Sequence, residues 1–388
     1  MKPRSAAKGT DRYVVGKVER FDQKNEMLKR ATWDPAMRDL AKGYYARFDG
    51  LAFPQEREGY THKEMALAMA GWHIELDFGS GQFTGGEGLE AWQAWSVGRT
   101  DTARMPKELK LEVGDPAEAT KAVKKAARLF GASLAGICVL DRRWLYSYSY
   151  HTLKKEHKPV EVDKEYTYAI VMAHEMDYAG IKRAPGFIAD AAVSTVYSRM
   201  AVTGALLAQY IRGLGYRAIP MSNDTANSIP LAIDAGLGEL SRMGLLITLE
   251  YGPRVRLNKI FTNMPLTPDE PIDFGVWDFC EKCHQCARFC PGQAIMKTPP
   301  TAKINNMCNR EGLLRWPLNA ENCFAYMART GTDCGVCIRV CPFNKPPGKL
   351  HDWVRRGVKK TPWLDALFIR ADQWLGYWKP AAPEYYWE

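Results

Sequence analysis

The sequence predicts an α+β fold, with a layered core of intermixed helices and strands followed by a cysteine-rich unit that holds metal. Three observations carry this prediction. From about residue 115 to 261, helix-period and strand-like segments follow one another without regular βαβ units or a GxGxxG fingerprint, which argues against a doubly wound dinucleotide fold. Eight of the ten cysteines fall between positions 280 and 341 of a large chain, where a disulfide scaffold would spread them through a short one. The 388 residues are 46% hydrophobic, enough for one large or two to three smaller cores.

Residues 1–115 read as an irregular N-terminal unit rich in charge, glycine and aromatics, among them Trp33, Trp72, Trp92 and Trp95. Its helical pattern is broken, with pieces at 37–45 and 63–71. Residues 116–274 form the predicted core. Asp115-Pro116 with Glu118 marks a helix start, 119–130 has helical spacing, and 134–140 is a short apolar strand. Residues 141–166 mix a tyrosine alternation with a charged run and read as a surface insertion. A buried strand follows at 167–173. Apolar residues recurring at three and four positions predict the longest helix over 188–211, closed by Gly213 and Gly215. Further strands are expected at 216–219, 245–248 and 255–261, a helix near 230–235, and a turn at Gly252-Pro253.

Within residues 275–348, Cys280, Cys283, Cys286 and Cys290-Pro291 have the CxxCxxCxxxCP spacing of a bacterial ferredoxin cluster site. In two-cluster ferredoxins the fourth cysteine of such a run serves the other cluster, which requires a second run. Cys323, Cys334, Cys337 and Cys341-Pro342 supply it. The crossed assignment puts Cys280, Cys283, Cys286 and Cys341 on one 4Fe-4S cluster, and Cys290, Cys323, Cys334 and Cys337 on the other. A pair of zinc sites is the bland alternative, and the triple spacing with two prolines fits it poorly. His284 reads as a solvated surface residue, Cys138 as a buried strand thiol, and Cys308 has no assignment. Residues 349–388 are a tail with Trp353, Trp363, Trp374, Trp378 and Trp387. Core packing is expected for most of them, with a pocket wall or a homodimer interface as alternatives.

The net charge of +9, from 53 Lys and Arg against 44 Asp and Glu, is a weak pointer to nucleic acid, because two thiolate-bound clusters offset part of it. No nucleic-acid partner is expected. No apolar stretch looks long enough to span a bilayer, the best being 200–211 between Arg199 and Arg212. The start shows neither an apolar signal core nor a twin-arginine pair, so the expected compartment is the cytoplasm, or the periplasmic face if a leader was removed.

Residues 216–266, reading YRAIPMSNDTANSIPLAIDAGLGELSRMGLLITLEYGPRVRLNKIFTNMPL and running on through PIDFGVWDFCEKC, resemble the cobalamin-dependent reductive dehalogenases of respiratory type. The resemblance reaches back to Val196-Tyr197-Ser198-Arg199-Met200 and forward to Lys345, covering roughly 165–350. It implies a nitroreductase-like core holding a base-off corrinoid, with two 4Fe-4S clusters feeding it electrons. It also implies that Tyr197 is the proton donor, that Arg256 in YGPRVR stabilises the tyrosinate, and that Asn223 in IPMSN lies in the substrate and corrinoid pocket. The physics agrees, since a phenol near pKa 10 is a poor acid at neutral pH unless a cation favours its anion. Ser222, Asn223, Thr225 and Ser228 are the expected cradle for the corrinoid tail. No DxHxxG segment supplies a lower ligand, so the cobalt is expected to lack a protein ligand.

The implied reaction replaces carbon–halogen by carbon–hydrogen on a small organohalide, with an external low-potential electron donor. An epoxyqueuosine reductase-like tRNA enzyme and a non-catalytic two-cluster electron carrier are the alternatives. Read without the resemblance, Tyr197 is a buried helix residue, Arg256 a strand-edge charge and Asn223 an Asx-turn residue.

Overall fold

The computed structural model describes residues 7–76, 108–152, 154–346 and 348–388, together with residues 3 and 106. Trp92 and Trp95 lie outside the described residues.

At the centre is a four-stranded antiparallel sheet in the order β1-β4-β8-β5, formed by β1 (Leu134–Val139), β4 (Tyr168–Glu175), β8 (Val255–Thr262) and β5 (Ala218–Met221). Alternation along β4 sorts its side chains between two cores: Ala169, Val171 and Ala173 face one, and Ile170 and Met172 face the other. The hairpin β2 (Tyr148–Tyr150) with β3 (His157–Pro159), and the pair β6 (Glu239–Leu240) with β7 (Leu246–Ile247), stand apart from this sheet.

The N-terminal unit contains short helices, α1 (Arg38–Tyr45) and α2 (His62–Ile74), at the two places where the pattern suggested them. Thr61 and Glu64 close a reciprocal capping box at the start of α2. Helix α3 (Pro116–Leu129) begins where Asp115 accepts a bond from the Ala117 amide, and buries one face through Ala119, Val123, Ala126 and Ala127. The long helix α4 (Phe187–Gly213) and the short α5 (Ser228–Asp234) match the sequence reading.

Three expectations need correction. Helix α4 is 27 residues long and contains an 18-residue window of mean hydropathy 1.2, so by length and composition it passes the test for a membrane span that the sequence reading failed it on. It packs against α2, α3 and the sheet, with 67% of that window buried. Residues 141–166 are not simply a surface insertion. Trp144, Leu145, Tyr146 and Tyr150 are buried, because the segment folds back over the 222–228 loop through a bridge between Leu145 and Ala226. In the tail, built on α10 (Lys349–Gly357) and α11 (Asp365–Trp374), Trp353, Trp363 and Trp374 are 70%, 77% and 85% exposed, so core packing fails for most of these tryptophans. Trp378 does pack, stacking on Phe289 at 4.7 Å.

The cysteine runs lie on four short helices: α6 (Val276–Cys283), α7 (Gln285–Phe289), α8 (Ala320–Thr330) and α9 (Val336–Arg339). They dock on the sheet layer through the turn before β8. Gly252, at φ +58°, sits so close to the second run that a Cβ would lie 2.2 Å from the Phe343 carbonyl oxygen. Arg254 in the same turn is buried, ion-paired with Glu175 at 2.6 Å and bonded to Asn344 Oδ1 at 2.6 Å.

Candidate active site

Three separate elements bring Tyr197, Asn223 and Arg256 together. Tyr197 projects from α4, Asn223 from the loop after β5, and Arg256 from the central strand β8. The Asn223 Nδ2 amide donates to the Tyr197 hydroxyl at 2.9 Å. The Arg256 guanidinium carbon lies 5.5 Å from the centre of the Tyr197 ring, and its Nε is buried without a protein partner. Arg256 is therefore not a strand-edge surface charge.

Burial raises the Tyr197 phenol above its ordinary pKa. Arg256 and then Asn223 pull against burial, whereas Asp333 and Glu75 add to it. At neutral pH the phenol keeps its proton, while its two nearest polar neighbours lower the cost of the anion.

Asn223 also belongs to the wall of a cavity of about 1130 Å³, larger than the roughly 300–1,000 Å³ of ordinary small-molecule sites. Ser222, Thr225 and Ser228 line it as well, so all four residues of the expected cradle share one cavity. Tyr197 and Arg256 stand behind Asn223, outside the lining.

The loop that carries these residues is held from several sides. Asp224 accepts from the Ser222 amide at 2.9 Å and from the Thr225 hydroxyl at 2.8 Å, and Thr225 sits at φ +65°. Lys259 is buried beneath it and donates to the Ser222 carbonyl at 2.6 Å and to Ser228 Oγ at 3.1 Å. Burial lowers the Lys259 pKa to about 8. From the other side, the Tyr146 amide donates to the Thr225 carbonyl at 2.9 Å, and Asn227 Nδ2 donates to the Tyr146 hydroxyl at 3.0 Å.

Four polar atoms of lining residues, Ser222 Oγ, Glu75 Oε2, Trp144 Nε1 and Arg310 Nη2, are buried without a partner. Leaving them so is costly, and a large ligand studded with amides, as a corrinoid is, would satisfy them. Among the described residues His151 is the one histidine in the lining, and its Nδ1 accepts from the Lys154 amide at 3.1 Å.

None of the ten cysteines is in a disulfide. Cys280, Cys283, Cys286 and Cys341 line one small cavity together with Arg242 and Phe279. Cys290, Cys323, Cys334 and Cys337 form a second group: negative charge on Cys337 or Cys290 raises the pKa of Cys323, and all three others act on Cys334. The grouping takes one cysteine from each run into the other's set. Burial pushes the thiols up, Cys280 and Cys337 to about 11 and Cys283 and Cys323 to about 12. Thiols in such surroundings ionise when a metal takes the place of the proton.

His284 is half-buried between α6 and α7 in the αL conformation and lines the first cysteine cavity. Cys138 is buried in β1 with its thiol 3.5 Å from the Leu231 carbonyl. Cys308 lines the large cavity, 3.8 Å from the Arg30 guanidinium.

Sequence reasoning missed several residues of the site. Trp72 stacks on Tyr197 from α2. Arg242 is buried and donates through Nε and Nη2 to the Cys280 carbonyl at 3.1 and 2.9 Å, fixing the start of the first run. Glu75, Lys259 and Arg310 sit in or under the cavity. Of these, Lys259 and Arg242 carried a weak local signal, as charged residues next to the apolar runs 260–261 and 243–247.

Comparison with known proteins places these features among relatives. The tetrachloroethene reductive dehalogenase of Sulfurospirillum multivorans is 36% identical over 378 residues, covering 89% of this chain and 74% of that protein. A solved reductive dehalogenase whose report concerns B12-dependent dehalogenation is 26% identical with a TM-score of 0.73, covering 97% of this chain. The chain spans about half the length of that structure, 49%. An epoxyqueuosine reductase of Lactococcus garvieae is 30% identical over 132 residues, 30% of this chain and 32% of that protein. No family model matches the chain.

Proposed function

The chain belongs to the reductive dehalogenases, and from that premise we propose that it is an oxidoreductase that replaces a carbon–halogen bond of a small organohalide by carbon–hydrogen. The observation that carries the reading is the convergence of Tyr197, Asn223 and Arg256 at the edge of a cavity large enough for a corrinoid. In this reading the layered core is nitroreductase-like, and the two cysteine groups hold two 4Fe-4S clusters as in a two-cluster ferredoxin. Ser222, Asn223, Thr225 and Ser228 hold the corrinoid, with no protein ligand to its cobalt.

A bound corrinoid would supply strongly reducing cobalt, and clusters held by the two cysteine groups would supply the path for electrons from an external low-potential donor. The net change takes up two electrons and one proton and releases halide. The protein's own part is the proton. Tyr197 holds it on its hydroxyl oxygen, where burial prevents loss to solvent at neutral pH. As it leaves, Arg256 stabilises the phenolate and the Asn223 amide keeps a bond to the oxygen. Trp72 fixes the ring that both act upon.

Anaerobic reconstitution with iron, sulfide and cobalamin, followed by halide release from a panel of chlorinated, brominated and fluorinated compounds with reduced viologen, tests the proposal. Corrinoid absorption together with halide release supports it. Cluster absorption with neither would favour the electron carrier, while tRNA binding that falls steeply with salt would favour the epoxyqueuosine reductase-like reading, which the shorter likeness does not.

A further inference from the structure

Arg310 and Arg315 lie between the two cysteine runs, in a segment that the motif argument leaves unassigned. Antiparallel bridges from Leu313 to Val14 and from Arg315 to Thr301 pin it in place, and both arginines line the large cavity. Arg310 is 9% exposed. Its Nη1 donates to the Arg143 carbonyl at 3.3 Å, its guanidinium lies 5.3 Å from the Trp144 ring and 5.7 Å from Phe21, and its Nη2 is buried without a partner. Arg315 Nη2 donates to the Arg310 carbonyl at 3.0 Å.

Among the described residues neither arginine has an ion pair, and the two acids whose charge acts on Arg310, Glu26 and Asp141, are engaged elsewhere. The Tyr146 hydroxyl donates to Glu26, and burial raises the Glu26 pKa. Asp141 is bonded to Arg143 Nε at 2.7 Å. Asp224 is capped by Ser222 and Thr225. Burial lowers both guanidinium pKa values to about 10, and Arg315 adds to the strain on Arg310. Two neighbouring cations, Arg310 buried with an unpartnered donor and Arg315 half-buried beside it, gain most from an anion on the cavity side. Trp144 Nε1 and Ser222 Oγ, further buried donors without partners, line the same cavity.

We propose that Arg310 and Arg315 form an anion subsite that receives the phosphodiester of the corrinoid's nucleotide tail. The assignment rests on the corrinoid reading above and extends it across the cavity from the 222–228 loop.

The test is binding, not turnover. The full chain, with its clusters reconstituted, is titrated anaerobically with cobalamin and with cobinamide, which lacks the nucleotide and its phosphodiester. The wild-type chain should prefer cobalamin by about tenfold or more, the scale of a charge-assisted hydrogen bond. Arg310→Gln and Arg315→Gln should lose most of that preference while binding cobinamide as before, and Arg310→Lys should keep part of it. Inorganic phosphate should compete with cobalamin and leave cobinamide binding unchanged.

Equal wild-type affinity for the two corrinoids overturns the subsite even if the variants misfold. So does an undiminished preference in both glutamine variants, or phosphate competition against both corrinoids, which would detach the anion site from the tail. Failure of the wild-type chain to bind either corrinoid would instead remove the corrinoid reading and the subsite with it.

Discussion

The indole of Trp72 stacks on the phenol of Tyr197, with ring centroids 5.2 Å apart and planes 24° from parallel. Trp72 comes from the N-terminal unit and Tyr197 from the core helix α4, so an element that reads as irregular in sequence fixes the orientation of the proposed proton donor. The contact depends on the residue before it. At Gly71 a Cβ would lie 2.1 Å from Ser194 Oγ, and Ser198 Oγ donates to the Gly71 carbonyl at 2.6 Å. Only a residue without a side chain allows α2 to come this close to α4.

Gly71→Ala is therefore expected to push the two helices apart, at a cost of about 1–3 kcal/mol for overpacking. Chemical denaturation would register the loss, and halide release should fall as Trp72 withdraws from Tyr197. Unchanged stability together with unchanged activity would show that the helices have slack that the close approach does not suggest.

Tyr197→Phe keeps the ring and its stacking while removing the proton. Corrinoid and iron content should stay at wild-type levels, and dehalogenation should drop by about 10²–10⁴, the usual contribution of a positioned acid. Undiminished turnover in a variant that has retained its cofactors would exclude the proton-donor role.

The contrast between these two variants shows what the sequence made legible. The helices α3 and α4 were readable from apolar residues recurring at helical spacing, and the strands β1, β4 and β8 as short apolar runs, which the structure buries on both faces. The two cysteine runs stood out because ligand spacing is a local pattern. Trp72 was not, since its role comes from a packing contact with Tyr197 more than a hundred positions away. The aromatic run at 144–150 was misread because alternation reports a strand with two faces, not which face is covered. Here Trp144, Tyr146 and Tyr150 are buried and Tyr148 is 42% exposed. The exposed Trp353, Trp363 and Trp374 misled for the opposite reason: hydrophobicity marks a preference for burial that this fold leaves unmet.

Glu75 should set a pH limit. Its carboxyl lines the cavity with Oε2 unpartnered, and burial, then Asp224, pushes its pKa up to about 8. Below that value it is neutral. As pH rises through about 8 it becomes an anion that disfavours phenolate on Tyr197, so the rate should fall. The same raised value makes folding stability decline as pH climbs from the unfolded carboxyl's range towards 8 and level off above it. Glu75→Gln should remove both dependences. Lys259 also titrates near 8, so a limb that survives in Glu75→Gln belongs to loss of its hold on the Ser222 carbonyl.

The crossing of the cysteine runs can be tested by pairs of substitutions. Cys290 lies in the first run and Cys323 opens the second, yet both act electrostatically on Cys334, whereas Cys341 from the second run lines a cavity with Cys280, Cys283 and Cys286. If the groups are ligand sets, replacing Cys290 and Cys323 together by serine damages one cluster only. About half of the iron should be lost after reconstitution, and the remaining electron paramagnetic resonance signal should be that of a single, uncoupled cluster. Replacing Cys290 and Cys341 together should damage both, because each supplies the fourth thiolate of a different set. Uncrossed ligation predicts the opposite for the first pair: Cys290 and Cys323 would then serve different clusters, and their joint loss would disturb both. Iron content with spectroscopy on the first double variant separates the two arrangements without reference to activity, while the second is the control that loses both clusters under either arrangement.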